Sequence, residues 1–238
     1  MRFCLAMAFQ DEAHWLKLHL PRILEATSID GVVALDGGSQ DDGPEILVEL
    51  GAIVYWRPFD WDFAAHMNAL IECCEAEGYD AMLRLDPDEL MWPADVDAVA
   101  AALKRHIAVK LPTYHFEDDR HQWMPQHYPD FHIRAWRLDE DAVRYKGKVH
   151  EWPKRGGERL MAYEINAHLY HYEGIRPHSE RRRLKHLNYQ RLKAGKDALP
   201  ELPAGVRVNG KYRPREPFAE LQPLAPEEIG ARAPFEEA

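Results

Sequence analysis

The sequence predicts an α/β fold: a mainly parallel sheet covered by helices on both faces, of the nucleotide-binding type. Three observations carry that expectation. Short apolar runs alternate with stretches of helical spacing from residue 3 to residue 90, in the order strand, helix, strand, helix, strand, helix, strand, and such alternation implies parallel crossovers. The strand runs are apolar and β-branched enough to be buried on both faces. Acidic residues follow three of these strands directly, at the carboxyl ends where open α/β sheets hold their ligands.

Phe3–Phe9 is the first expected strand, leading into Gln10-Asp11-Glu12. Glu12–Glu25 follows as a helix, with Trp15, Leu16, Leu20, Ile23 and Leu24 at helical spacing and Pro21 as a kink or early end. Gly31–Leu35 is the second strand and ends at Asp36, before a glycine-rich turn. Pro44 suits a first helical position, so Glu45–Leu50 reads as a short helix stopped by Gly51. Ala52–Tyr55 is the third strand, Phe63–Glu77 an amphipathic helix, and Ala81–Leu85 the fourth strand. That strand must stop at Asp86-Pro87-Asp88-Glu89, because proline cannot donate to a ladder. Three carboxylates at one strand tip cost folding energy unless a cation shares the site, and a divalent ion carrying a phosphate meets that need. The competing reading is a solvated acidic turn that caps the next helix.

Asp95 is the expected cap of a helix running to about Arg105. Strand candidates then follow at Val109–Tyr114, Phe131–Leu138, Val143–Tyr145 and Glu164–Tyr172. This region is crowded with rings, among them Tyr114, His115, Phe116, His121, Trp123, His127, Tyr128, His132 and Trp136. Most read as packing or surface residues, and a minority as the wall of an acceptor groove, since sugar rings stack on aromatic faces. Arg181–Lys196 is a basic helix with Leu184, Leu187 and Leu192 on an apolar stripe, and the chain turns proline-rich from Leu199. The expected organisation is a domain over residues 1–198 in two parts, 1–105 and 106–198, with an extended tail at 199–238.

Composition narrows the class of partner. At 238 residues the chain can bury a full core, and 46% hydrophobic with 29% charged residues is ordinary for a globular protein. No apolar run approaches the length of a membrane span, and the amino terminus meets acidic residues too early for a secretory signal. Three cysteines, two of them adjacent (Cys73-Cys74), make neither a disulfide framework nor a zinc ligand set and fit a reducing cytoplasm. A net charge of −10 argues against a protein coated in nucleic acid.

Five ordered segments resemble the family 2 glycosyltransferases with a GT-A fold, in particular the bacterial branch that includes lipopolysaccharide core glucosyltransferases. Ala8–Glu12 (AFQDE) sits where that family has a strand followed by Asn-Glu. Leu35–Leu47 (LDGGSQDDGPEIL) is similar to its D-x-G-S-T-D-G-T-x-E-I-L pattern, and Phe63–Asn68 (FAAHMN) to F-x-x-x-R-N. Leu85–Glu89 (LDPDE) matches L-D-A-D-E, and Arg144–Glu151 (RYKGKVHE) looks like Y-x-G-x-V-H-E. His171-Tyr172 ahead of the basic helix extends the likeness, which covers residues 3–192. In departures from the pattern, Gln10-Asp11 replaces Lys/Arg-Asn, Asp42-Gly43 replaces Gly-Thr, and Met67 replaces an arginine whose charge Arg57 or Arg84 could supply.

The resemblance implies a metal-dependent, inverting transfer of a sugar from a UDP- or GDP-sugar to a glycan, lipid-linked or other hydroxyl acceptor, with Mn²⁺ or Mg²⁺. Asp88 is the first expected metal ligand. The resemblance gives Asp86 to the ribose or, through water, to the same ion, and Asp36 to the nucleotide base or ribose; a turn-forming aspartate is the equal alternative at Asp36. Glu12, Asn68 and Arg84 complete the expected donor contacts. Glu151 is the candidate general base, with a salt bridge to Lys146, Lys148 or Lys154 as the alternative role, and Glu89 is the second candidate. His171 is the expected protein-supplied third ligand, since strand alternation turns His168 to the other face. His150 could ligate the ion or orient the acceptor. The basic helix Arg181–Lys196 reads as a solvated face or as a seat for an anionic acceptor or surface. Two other classes remain: a sugar-phosphate nucleotidyltransferase, disfavoured because Gln10-Asp11-Glu12 stands where such enzymes have a glycine-rich loop and a basic residue, and a non-catalytic binding module, favoured by Met67.

Overall fold

The structure is a computed structural model and describes residues 1–116, 128–139, 143–147, 152–172 and 180–199, with residues 180–183 and 186 described by backbone alone. Glu151, His150, Lys148, His121, Trp123, His127 and the tail from residue 200 lie outside the described residues.

The first half follows the expected alternation: β1 (Phe3–Phe9), α1 (Ala13–Ile23), β2 (Gly31–Asp36), α2 (Gly43–Glu49), β3 (Ile53–Trp56), α3 (Phe63–Ala76) and β4 (Ala81–Arg84). These strands lie in the order β3-β2-β1-β4, all parallel. Strand alternation sorts the core into two layers. Phe3, Leu5 and Met7 of β1 pack with Leu16, Leu20 and Ile23 of α1, while Cys4 and Ala6 pack with Leu70, Ile71 and Cys74 of α3. Each fully buried Leu or Ile contributes about 1.5–3 kcal/mol, so the sequence alternation specifies which face each helix covers. Pro21 does not end α1, which runs on to Ile23; it sits on the exposed side of the helix within its last turn.

Beyond β4 the chain forms β5 (Glu89–Leu90), α4 (Pro93–Leu103), β6 (Ala108–His115), β7 (Asp130–Arg137), β8 (Val143–Lys146), β9 (Trp152–Arg155), β10 (Glu158–Arg159), β11 (Tyr163–Glu164), β12 (Leu169–His171) and α5 (Glu180–Lys193). The sheet continues β4-β7-β6-β12-β5, with β7 antiparallel to both β4 and β6, and β12 parallel to β6. A second antiparallel sheet, β10-β9-β8, packs through Tyr145 on the α3 side.

Three expectations are corrected. Asp95 does not cap α4: Trp92 holds the cap position, Pro93 opens the helix and Asp95 lies inside its first turn. There burial pushes the Asp95 carboxyl up to about 6, and it accepts the His168 N–H. The single strand expected at Glu164–Tyr172 is two short ones, β11 and β12, both parallel to β6. The β8–β10 meander was foreseen only at β8, because its later strands are two to four residues long and largely exposed.

One irregularity matters for the site. Val109 of β6 faces Ala135 of β7 and Lys110 faces Ile133, so Arg134 has no residue opposite it. Arg134 is the extra residue of a β-bulge.

Candidate functional site

The carboxyl ends of β1, β2 and β4 open into a cleft of about 1550 Å³. The turns after β1 and β2 are laced together by polar side chains. Gln10 Nε2 donates to the Gly37 carbonyl at 2.7 Å, the Asp11 N–H donates to Ser39 Oγ at 3.0 Å, and Asp11 Oδ1 accepts the Gln40 N–H at 2.6 Å. Asp36 Oδ1 accepts from the Gly38 N–H, the Ser39 N–H and the Ser39 hydroxyl at 3.0, 2.8 and 2.7 Å. Asp36 is 5% exposed and absent from the cleft wall, and its Oδ1 fills the turn-forming role. Ser39 and Asp41 hold turns and caps: Asp41 accepts the Ala13 N–H that opens α1 and the Gly43 N–H that opens α2. Glu12 does line the cleft.

The Asp86–Glu89 turn is pinned from four sides. Glu89 Oε2 accepts the Asp86 N–H at 2.8 Å, His19 Nδ1 lies 3.0 Å from the Pro87 carbonyl, the Tyr172 N–H donates to the Asp88 carbonyl at 2.9 Å, and Glu89 pairs with His171 across β5 and β12. Arg84 Nη2 donates to both Asp86 oxygens at 2.9 and 3.1 Å, and Arg134 Nη1 stands 3.6 Å from Asp86 Oδ2 while its Nη2 pairs with Glu89 Oε1. Burial alone would raise the Asp86 carboxyl, but Arg84 and then Arg134 outweigh it and hold Asp86 ionised well below the usual range. Glu89 shows the opposite balance: burial pushes it up to about 7 against the pull of Arg134. Fully buried, and with its two oxygens on Arg134 and the Asp86 N–H, Glu89 is placed to hold the turn rather than to reach an acceptor as a base.

Asp88 is buried and its Oδ2 lies 3.2 Å from His171 Nε2. His171 Nδ1 in turn meets His115 Nδ1 at 3.0 Å, and His115 Nε2 lies 3.0 Å from Asp130 Oδ2, which His132 Nε2 approaches to 2.9 Å. His168, as expected, diverges and stacks on Tyr114. The structure thus brings Asp88 and His171 together but turns Asp86 to two guanidinium groups. Among the described residues, the set of three metal-capable atoms within 4.8 Å of one another is His115, Asp130 and His132.

Asn68 lies outside the cleft lining. Its Nδ2 donates to the Tyr145 carbonyl at 3.1 Å and its Oδ1 accepts the Tyr145 N–H at 2.7 Å, so it clamps β8 against α3 in the manner of a strand neighbour. Of the two arginines considered in place of Met67, Arg84 lines the cleft, while Arg57 is bonded to Asp60 and lies outside the lining. The catalytic candidate Glu151 and His150 lie outside the described residues.

Sequence reading missed Arg134, Asp130, His19, and the aromatic wall of Phe59, Trp61 and Phe63, whose rings stand 4.8–5.3 Å apart around Phe59. Tyr114, Phe116 and Trp136 are core, whereas His132 is on the cleft. The alternation Asp130-x-His132 ahead of the apolar end of β7 was the available signal for a polar strand face. α5 brings Leu184, Lys185 and Tyr189 to the cleft, Tyr189 meeting Phe63 at 6.1 Å between ring centroids.

The model of the family described as glycosyl transferase family 2 matches residues 5–165. Among solved structures, TarS 1-349 from S. aureus in complex with UDP-GlcNAc superposes with a TM-score of 0.52 at 12% identity, over 76% of this chain and 60% of that one. TarS 1-349 in a second structure gives 0.51 at 12% identity, over 72% and 60%. Glucosyl-3-phosphoglycerate synthase from Mycobacterium tuberculosis, in complex with Mn²⁺ and UDP-glucose, gives 0.39 at 19% identity, over 48% and 43%. No curated protein matches the sequence. The chain therefore spans about 60% of the length of TarS 1-349.

Proposed function

The chain belongs to glycosyl transferase family 2 and has its α/β GT-A fold, and from that premise we propose that it moves a sugar from a UDP- or GDP-sugar to a hydroxyl acceptor in a metal-dependent, inverting displacement. The observation that carries the reading is the Asp86-Pro87-Asp88 turn at the carboxyl end of β4, on the cleft and opposite His171. TarS, of the same fold, is solved with UDP-GlcNAc bound.

Asp88 and His171 offer a carboxylate and an imidazole from two separate strand ends, a donor set that suits Mn²⁺, or Mg²⁺ with more of its shell left to water and diphosphate oxygens. When bound, such an ion supplies a Lewis acid for the departing nucleotide diphosphate. The residues of the chain do the rest. Arg84 and Arg134 keep Asp86 ionised, so that it can accept from a ribose hydroxyl or from a water on the ion. Glu89 and His19 hold the turn in place. The wall of Phe59, Trp61 and Phe63 offers flat apolar faces to a base or sugar ring. Glu151 takes the acceptor proton, with His150 beside it.

In this reading residues 1–105 form the donor side and residues 106–198 the acceptor side, and Lys185 of the basic helix gives the cleft a cation toward an anionic acceptor or surface. No helix among the described residues is long and apolar enough to cross a membrane. The three free thiols, Cys4, Cys73 and Cys74, support a reducing, cytoplasmic setting.

The test is a thermal-shift screen of nucleotide-sugars with and without Mn²⁺, followed by nucleotide release with the donor that binds. A Mn²⁺-dependent rise in melting temperature for one donor, lost in Asp88→Ala, is expected. Donor binding by Asp88→Ala equal to that of the parent, or no binding to any donor while a control transferase works, sinks the reading.

A further inference from the structure

We infer that His115, Asp130 and His132 form a second metal site, for a divalent transition metal of the zinc class, on the acceptor side of the cleft. Three separate strand positions converge to make it. Register pairs Thr113 of β6 with Asp130 of β7 and Leu111 with His132, so Asp130 and His132 share a sheet face with Thr113 and, two residues on, His115. The donor atoms are already gathered: His115 Nε2 and His132 Nε2 lie 3.0 and 2.9 Å from Asp130 Oδ2, and all three lie within 4.8 Å of one another. Bonds of about 2.0–2.2 Å to nitrogen and oxygen set ligand separations near about 3.3 Å in a tetrahedral site. The two separations to Asp130 Oδ2 are a few tenths of an ångström tighter, and Asp130 and His132, with side chains 47% and 41% exposed, can open by that amount.

The chemistry of the set selects the ion. Two imidazoles and one carboxylate favour zinc-like metals over Mg²⁺, and three protein ligands leave a coordination position open. Asp130 and His132 line the cleft, so an acceptor oxygen or phosphate can complete the shell. The remaining ring nitrogen of His115 has its own partner, since Nδ1–H can donate to His171 Nδ1 at 3.0 Å; such outer contacts fix a ligand's tautomer. An ion on His171 beside Asp88 asks for the opposite placement of that shared proton, so the two positions compete.

The site stands whether or not the chain transfers a sugar, and its test uses no donor. Full-length protein stripped of metal and free of nucleotide is titrated with Co²⁺, and the visible ligand-field absorption is recorded, with Zn²⁺ added to displace it. One equivalent giving an intense band is expected, lost in His132→Ala and in Asp130→Asn and retained in Asp88→Asn. Both side chains are half-buried, and circular dichroism checks that the variants fold. No band in the parent, a band that survives His132→Ala, or a band lost in Asp88→Asn overturns the site, the last by assigning the ion to Asp88 and His171.

Discussion

Replacing Arg134 with methionine removes the guanidinium from a carboxylate that has almost no water to turn to. Arg134 is 7% exposed at its side chain and Glu89 0%, and Glu89 has two partners, Arg134 and the Asp86 N–H. Breaking a buried ion pair from one side costs about 3–5 kcal/mol. For a chain of this size that corresponds to a melting temperature lower by about 6–20 °C, at about 2–4 °C per kcal/mol. The cost depends on pH in a definite direction. Burial already pushes Glu89 up to about 7 with Arg134 present, and removing the cation raises it further. The folded state of Arg134→Met then holds a proton that the unfolded state, near an ordinary glutamate, has released. Stability therefore falls as pH rises, by about 1.4 kcal/mol per unit between the unfolded and folded pKa values. Urea unfolding of the parent, Arg134→Met, Glu89→Gln and the double variant, at about pH 6 and about pH 8, measures both quantities. Arg134→Met should lose more at the higher pH, and Glu89→Gln should rescue it with a coupling of about 2 kcal/mol or more. A loss under about 1 kcal/mol, with no pH slope and additive singles, would refute the claim that Arg134 neutralises Glu89 and holds the turn.

Two further outcomes follow from geometry outside the carboxylate cluster. Asn68→Ala unpairs the Tyr145 N–H and carbonyl and should cost about 1–3 kcal/mol in urea unfolding, with Asn68→Asp recovering part through the Tyr145 N–H; equal stability of all three proteins would deny the clamp. His19 is lowered to about 4, chiefly by burial, so the unfolded chain takes up the proton first as pH falls from about 6.5, and stability is lost down to about pH 4. The raised carboxyls of Glu89 and Asp95 act in the opposite direction, so the readout is the difference between the parent and His19→Gln. That difference should shrink by about 3 kcal/mol between about pH 7 and about pH 4, and a constant difference would remove His19 from the account.

The first half of the chain was legible because most of its strands carry their own evidence. The apolar runs of β1, β2 and β4 are continuous, and the turn residues behind them are chemically distinctive. Asp36 shows the limit of that reading: the same residue type serves a ligand or a Gly-Gly turn, and the hydrogen bonds to Gly38 and Ser39 that hold the turn are visible only in three dimensions. The rest was less legible because its groups meet across strands. Arg134 and Glu89 are 45 residues apart, and His115 and His171 are 56 apart. Carboxyl-end reasoning also overlooks β7, which runs antiparallel to β4 and delivers its amino-terminal end to the same edge of the sheet. The bonds of Asn68 to the Tyr145 backbone were equally hidden, because they join residues 77 apart.

The bulge at Arg134 acts as a phase shift in the strand. Carried without interruption from the pairs of Ala108 with Trp136 and Val109 with Ala135, the ladder would set Lys110 against Arg134, Leu111 against Ile133 and Pro112 against His132. His132 and Asp130 would then fall on the face opposite His115, and Phe131 and Ile133 would take their places. The one extra residue reverses that parity for everything upstream of it while leaving Ala135 and Trp136 in the core. Excising the codon for Arg134 would therefore keep every pair upstream in place and take away only the guanidinium; it is pairing Arg134 into a regular ladder that would turn the polar wall inside out, a change of side rather than of composition.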